Sequence, residues 1–193
     1  MTILVTSDLH LNSKPRDRYR HDWVRKQLPA LVVKNKVTTL AILGDMTDEA
    51  DNHPASLVNE IVDHLTKLID AAKGDLWIYL LRGNHDYVDA SCPFFRFAAA
   101  IHGVTWINVP TLKKIDGSYV HFLPHTPNYQ VDWLEINFSK ADLCFAHNTF
   151  DGTISESGAR LSGIPPSALP RNLPVISGDI HKPQDVQQVT YVG

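Results

Sequence analysis

Short apolar runs separated by polar turns recur along the whole chain, and their lengths fit β-strands better than helices. Runs at 3–7, 39–44, 77–82, 104–109, 119–124, 142–146 and 175–177 predict strands, with a last one at 189–192. Between the second and third runs the period changes. Leu57, Ile61, Leu65 and Leu68, with Val58, Val62 and Ile69 beside them, keep one face apolar and predict a helix over 56–73. Gly74 is the expected left-handed stop. A second amphipathic stretch covers 22–34, which Pro29 should kink or divide. Shorter helices are expected near 94–101 and 131–137. The stretch 152–173, with several Gly, Ser and Pro residues, reads as an ordered surface loop.

Strands alternating with helices predict an α/β domain whose strands are at least partly parallel. No internal repeat or low-complexity tract interrupts the pattern, so one domain over 1–193 is expected. The sequence stops at Tyr191-Val192-Gly193 in a strand-like run, which leaves room for C-terminal strands beyond it.

Composition adds limits. With 193 residues, 44% hydrophobic and 20% charged, the chain has material for a substantial core. No apolar run approaches the roughly 18 residues a membrane helix needs. The N-terminal MTILVTSDLH leads straight into candidate functional residues, so no cleaved leader is expected there. Cys92 and Cys144 do not make a disulfide framework, Cys144 lies in a core-like run, and a cytoplasmic setting follows as the default. The net charge of −3 selects no partner. Lys14, Arg16, Arg18 and Arg20 cluster locally, either as a solvated loop or as a basic rim that attracts a phosphate-bearing substrate.

The chemistry sits where the strands end. The first run closes on Asp8-Leu9-His10 and the second on Gly44-Asp45-Met46-Thr47-Asp48. Gly83-Asn84-His85-Asp86, His147-Asn148 and Gly178-Asp179-Ile180-His181 follow three others. Singly, each is an ordinary turn. Together they place Asp, His and Asn at five strand ends, where α/β sheets build ligand sites. Carboxylate, imidazole and amide oxygen suit manganese, iron, zinc or magnesium, and neither cysteine joins a cluster. The candidate ligands exceed what one ion needs, so two ions with a bridging carboxylate are expected, an arrangement suited to displacement at phosphorus.

The ordered series Asp8-x-His10, Gly44-Asp45-x-x-Asp48, Gly83-Asn84-His85-Asp86, His147 and Gly178-Asp179-x-His181 resembles the signature of calcineurin-like metallophosphoesterases. The resemblance implies a two-sheet β-sandwich flanked by helices, with a dimetal site at the strand ends. It also implies that Asp8, His10 and His181 bind one metal, that Asp45 bridges, and that Asn84, His147 and Asp179 bind the other. His85 would stand beside the phosphate, with Asp86 or Asp48 orienting a histidine. Asp179 departs from the family's usual histidine at that place, which points to harder metals, manganese foremost. A looser likeness to bacterial double-strand-break repair nucleases rests on Leu123-Pro124-His125 and on 178–184.

The implied function is a phosphodiesterase acting on nucleic acids or nucleotides. A phosphomonoesterase or protein phosphatase, and a catalytically weak metal-binding scaffold, stand as alternatives. Trp23, Trp77, Trp106 and Trp133 are expected in the core. His125 could approach the site from a neighbouring strand end, whereas His21, His53, His64, His102 and His121 read as surface or packing residues.

Overall fold

The computed structural model describes residues 2–193. Two sheets lie face to face. The first has order β1-β2-β3-β4, formed by Ile3–Thr6, Thr39–Ile42, Trp77–Leu81 and Val104–Ile107, all parallel. The second comprises β5 (Thr111–Ile115), β6 (Ser118–Leu123), β7 (Leu143–His147), β8 (Val175–Gly178), β9 (Gln184–Val186) and β10 (Val189–Tyr191), in order β5-β6-β7-β8-β10-β9. Its centre is parallel and both edge strands pair antiparallel.

Alternation along each strand explains the layers. On β2, Leu40 and Ile42 face a cluster with helical residues, while Ala41 and, just beyond the strand, Leu43 face the opposite sheet. On β7, Phe145 joins that inter-sheet cluster with Phe122 and Leu81, and Cys144 and Ala146 turn to the outer one. Strands covered on both faces read as continuous apolar runs, which is why they are visible in the sequence.

The outer layer of the first sheet is α1 (Arg18–Asp22), a π-helical segment Trp23–Gln27, α2 (Leu28–Lys34) and α3 (Ala55–Ala71). Pro29 lies in the first turn of α2, and the chain takes up the irregularity just upstream as the π segment. On α3, Leu57, Ile61, Leu65, Leu68 and Ile69 are buried. At about 1.5–3 kcal/mol per buried side chain, this face dominates the helix's stability. Gly74 is left-handed as expected (φ 84°), but Lys73 before it already takes a left-handed place (φ 57°), and Gly74 N–H donates to Ile69 O at 3.0 Å.

Two strands lie outside the expected set. Asp116 and Gly117, both at positive φ, turn β5 into β6, and an Asp-Gly pair is a hairpin signal. The edge strand β9 is too short and polar to stand out. The helix expected near 131–137 forms earlier and shorter, as α4 (Tyr129–Asp132). Trp133 is buried, but Trp77 is 53% exposed, because it opens β3 on the solvent side. No helix among the described residues is long and apolar enough to cross a membrane.

Candidate metal centre

The carboxyl ends of β1, β2, β3, β7 and β8 meet at one rim of the sandwich, and all seven predicted ligands gather there. Backbone strain marks the place. Asp8 (φ 53°), His10 (φ 44°), Asp45 (φ 52°) and Asp179 (φ 79°) all adopt the left-handed region that side chains usually avoid. Hydrogen bonds between loops fix these turns: Asp8 N–H donates to Gly44 O (3.1 Å), and Asp179 N–H reaches both Asp8 carboxylate oxygens at 3.2 Å.

Two histidine nitrogens each face an adjacent group of acceptors. His147 is fully buried, and its Nδ1 lies 2.5 Å from Leu43 O. A carbonyl only accepts, so Nδ1 carries the hydrogen and Nε2 is left to face the site. What it faces is a set of acceptors: Asn84 Oδ1 at 2.9 Å, Asp45 Oδ1 at 3.3 Å and Asp179 Oδ1 at 3.9 Å. On the other side, Asp48 Oδ1 lies 3.1 Å from His10 Nδ1, which turns His10 Nε2 towards His181 Nε2 (3.1 Å), Asp45 Oδ2 (3.6 Å) and Asp8 Oδ1 (3.9 Å). Asp45 thus presents one oxygen to each histidine.

The donor set fits divalent cations. Atoms of Asp8, His10 and His181, and separately of Asp8, Asp45 and His147, lie within 4.8 Å of one another. Such crowding of acceptors is unfavourable unless a positive charge sits among them. In the ion-free protein that charge is a proton. Burial opposes it, yet Asp45, Asp8 and Asp179 hold the His147 imidazole up at about 10. Asp45 is held down to about 2, its burial outweighed by His147 and by the hydrogen bond from His85 N–H. Burial pushes Asp8 up and His10 down.

Small residues make the slot. A Cβ on Gly44, which sits at φ 90°, would lie 2.4 Å from His147 Nδ1, and one on Gly178 would lie 1.9 Å from Ser7 Oγ and 2.9 Å from the same nitrogen. The motif glycines are therefore required where His147 threads between the sheets.

The two acidic candidates do different work. Asp48 is the residue that contacts a histidine. Asp86 instead is buried and accepts from Gly83 N–H (2.7 Å), Asp45 N–H (2.9 Å) and Met46 N–H (3.1 Å), tying two ligand loops together. Burial and Asp45 raise its carboxyl to about 7 despite those donors. His85 is half-buried, and its Nδ1 donates to Asp48 O at 2.8 Å, which leaves the other ring nitrogen, Nε2, without the hydrogen.

Some supporting residues carry no signal in the sequence. Asn12 Nδ2 donates to Asp48 Oδ2 (2.6 Å) and to Asp17 Oδ2 (3.1 Å). Thr149 Oγ1 donates to Asp179 Oδ2. The basic rim is largely tied up: Arg18 forks Glu60 with two contacts of 2.8 Å, Arg20 Nη1 donates to His10 O (2.9 Å), and Lys14 Nζ lies 3.6 Å from Asp48. Arg16 is the most exposed of the four, with its Nε 3.7 Å from Asp17 Oδ2.

A sequence model described as "Calcineurin-like phosphoesterase" matches residues 1–183, across all five clusters. The chain belongs to the calcineurin-like phosphoesterase family. Members are dimetal-dependent hydrolases of phosphate esters, and the two-sheet architecture flanked by helices is the family's fold. Among solved structures, this calcineurin-like phosphoesterase is similar to the anchor of the inner membrane complex of Plasmodium (14% identity, 99% of this chain and 70% of that one, TM-score 0.53). It is also similar to the Pseudomonas putida nuclease MPE (18% identity, 83% and 67% coverage, TM-score 0.46). An archaeal phosphodiesterase aligns at 14% identity over 99% of this chain and 81% of that one, with TM-score 0.48. Comparison with curated proteins gave no match.

Proposed function

We propose that the chain is a phosphodiesterase acting on nucleic-acid or nucleotide phosphodiesters. Three cavities adjoin the donor cluster, and two of them carry this reading. One, of about 340 Å³, adjoins Asp8, His10 and His181 and is walled by Tyr19, Trp23 and Arg20. The other, of about 390 Å³, adjoins Asp179 and is lined by Thr149, Asn148 and His125. A diester carries an organic group on each side of phosphorus, and a monoester needs only one such space. The aromatic wall suits a stacked base, and both volumes fall in the range of small-ligand sites.

In this reading Asp8, His10 and His181 would hold one divalent ion, Asn84, His147 and Asp179 the other, and Asp45 would span them. Two such ions supply charge neutralisation at the phosphoryl group and a nucleophilic water near neutral pH. Manganese is the proposed metal, since Asp179 adds a hard anionic oxygen to the second position. Asp48 fixes His10 in the tautomer whose Nε2 is a ligand, and Leu43 O does the same for His147. His85, with its Nδ1 hydrogen on Asp48 O, uses Nε2 for the substrate. In the protonated form it donates to the leaving oxygen as the phosphorus–oxygen bond breaks.

The test is turnover of a dinucleotide and of single-stranded DNA against a nucleoside monophosphate and a phosphopeptide, each with manganese. The proposal expects diester cleavage to exceed monoester cleavage in kcat/KM. Cleavage confined to monoesters would overturn it.

A further inference from the structure

Arg82 closes β3 immediately before the Gly83-Asn84-His85 turn. It is buried, 7% exposed, and no ion pair to it occurs among the described residues. An unpaired buried cation is costly, so its contacts show what it is kept for. Nη2 donates to His125 O (2.6 Å), Nη1 donates to Asn108 Oδ1 (3.0 Å), and the guanidinium lies over the Tyr87 ring at 4.4 Å. His125 N–H returns a bond to Arg82 O at 3.0 Å. Arg82 therefore clasps the backbone of His125 from both directions, across the two sheets, and packs against Tyr87.

Tyr87 in turn holds the His125 ring, with its hydroxyl 2.9 Å from Nδ1. A cation against the ring makes the phenol a stronger donor. With Tyr87 O–H donating to Nδ1, the neutral imidazole carries its hydrogen on Nε2. Nε2 makes no hydrogen bond among the described residues, and His125 lines the cavity beside Asp179 and Thr149. Its ring centroid is 6.5 Å from that of His147. A donor braced by an arginine and a tyrosine, yet bonded to nothing, is aimed at an acceptor that arrives with a ligand.

We propose that His125 is a substrate-contacting residue whose Nε2–H donates to a phosphate oxygen on the Asp179 side of the crevice, with Tyr87 and Arg82 as its positioning residues. The inference rests on the phosphodiesterase reading above. It gives the second cavity a defined role, in which His125 grips the phosphate from the side away from the Tyr19–Trp23 wall. No proton is transferred; the bond strengthens as charge grows on the oxygen in the transition state.

The test uses the full chain with manganese, bis-p-nitrophenyl phosphate as substrate and inorganic phosphate as a calorimetric ligand. His125→Leu is expected to lower kcat/KM by about 30- to 100-fold and to weaken phosphate binding about tenfold. His125→Gln, which keeps a donor near Nε2, should recover to within about fivefold of wild type. Tyr87→Phe should fall about five- to tenfold, in kcat more than in KM. Bound manganese and melting temperature should match wild type in His125→Gln and Tyr87→Phe.

Turnover and phosphate affinity within twofold of wild type in His125→Leu would overturn the inference. So would losses that track loss of metal or of folding in all three variants. If the wild type cleaves no diester yet binds phosphate more tightly than His125→Leu, the contact stands and the diesterase reading falls. A wild type that neither cleaves diester nor binds phosphate overturns both.

Discussion

His147 Nδ1 lies 2.5 Å from the carbonyl oxygen of Leu43, and this one bond joins the end of β7 in one sheet to the loop after β2 in the other. It fixes which nitrogen of His147 faces Asp45, Asn84 and Asp179. The bond exists because Gly44 and Gly178 leave room for the ring. Gly44→Ala would force a side chain into a left-handed residue and against Nδ1, at about 1–3 kcal/mol or more. The expected result is a lower melting temperature together with loss of about one manganese ion per chain, read by metal analysis after dialysis.

Asp179 tests the metal preference separately. Replacing it with histidine exchanges an anionic oxygen for a neutral nitrogen beside His147, 3.9 Å away. Asp179→His should favour zinc over manganese relative to wild type, measured by competitive metal titration. An unchanged order of preference would remove the hard-ligand argument.

The buried His21–His64 pair lies behind the site. His21 Nε2 donates to Asn12 O (2.9 Å), so its Nδ1 accepts from His64 Nε2–H at 3.2 Å, and His64 Nδ1 is left buried without a partner. Burial lowers the His64 imidazole to about 4. A depressed folded-state value means the contribution is complete above the unfolded value near 6.5 and is lost as pH falls towards 4. Between pH 7 and 4, His64→Gln should lose about 2 kcal/mol less unfolding free energy than wild type, measured by urea titration at each pH.

The end of α3 offers a stabilising change. Lys73 occupies the left-handed position that glycine fills at least cost. Lys73→Gly should raise stability by about 0.5–1 kcal/mol in denaturant titration, with turnover unchanged.

The candidate ligand set is legible in the sequence because each cluster lies at the end of a strand run and three members, Asp45, Asn84 and Asp179, follow a glycine, so position in the chain implies position at the rim. The two doubly covered sheets are legible for the same reason: Leu40 to Leu43 and Cys144 to Ala146 are buried on both faces. The edge strands of the second sheet are not, since half-buried Lys113 and exposed Lys114 in β5 and exposed Asp185 in β9 dilute the apolar pattern. Which acid orients a histidine is also hidden. Asp48 and Asp86 sit in similar motifs, and only the meeting of loops decides that one reaches His10 while the other binds backbone. The pairing of the basic cluster is hidden as well, because Glu60, distant in sequence, folds against Arg18.

The most direct measurement of the central claim is hydrolysis of bis-p-nitrophenyl phosphate against p-nitrophenyl phosphate with manganese, comparing wild type with His85→Ala. The account predicts metal-dependent cleavage that favours the diester and a fall of about 10²-fold or more in the variant, which keeps its bound metal. Undiminished turnover in His85→Ala, or cleavage of the monoester alone, would contradict it.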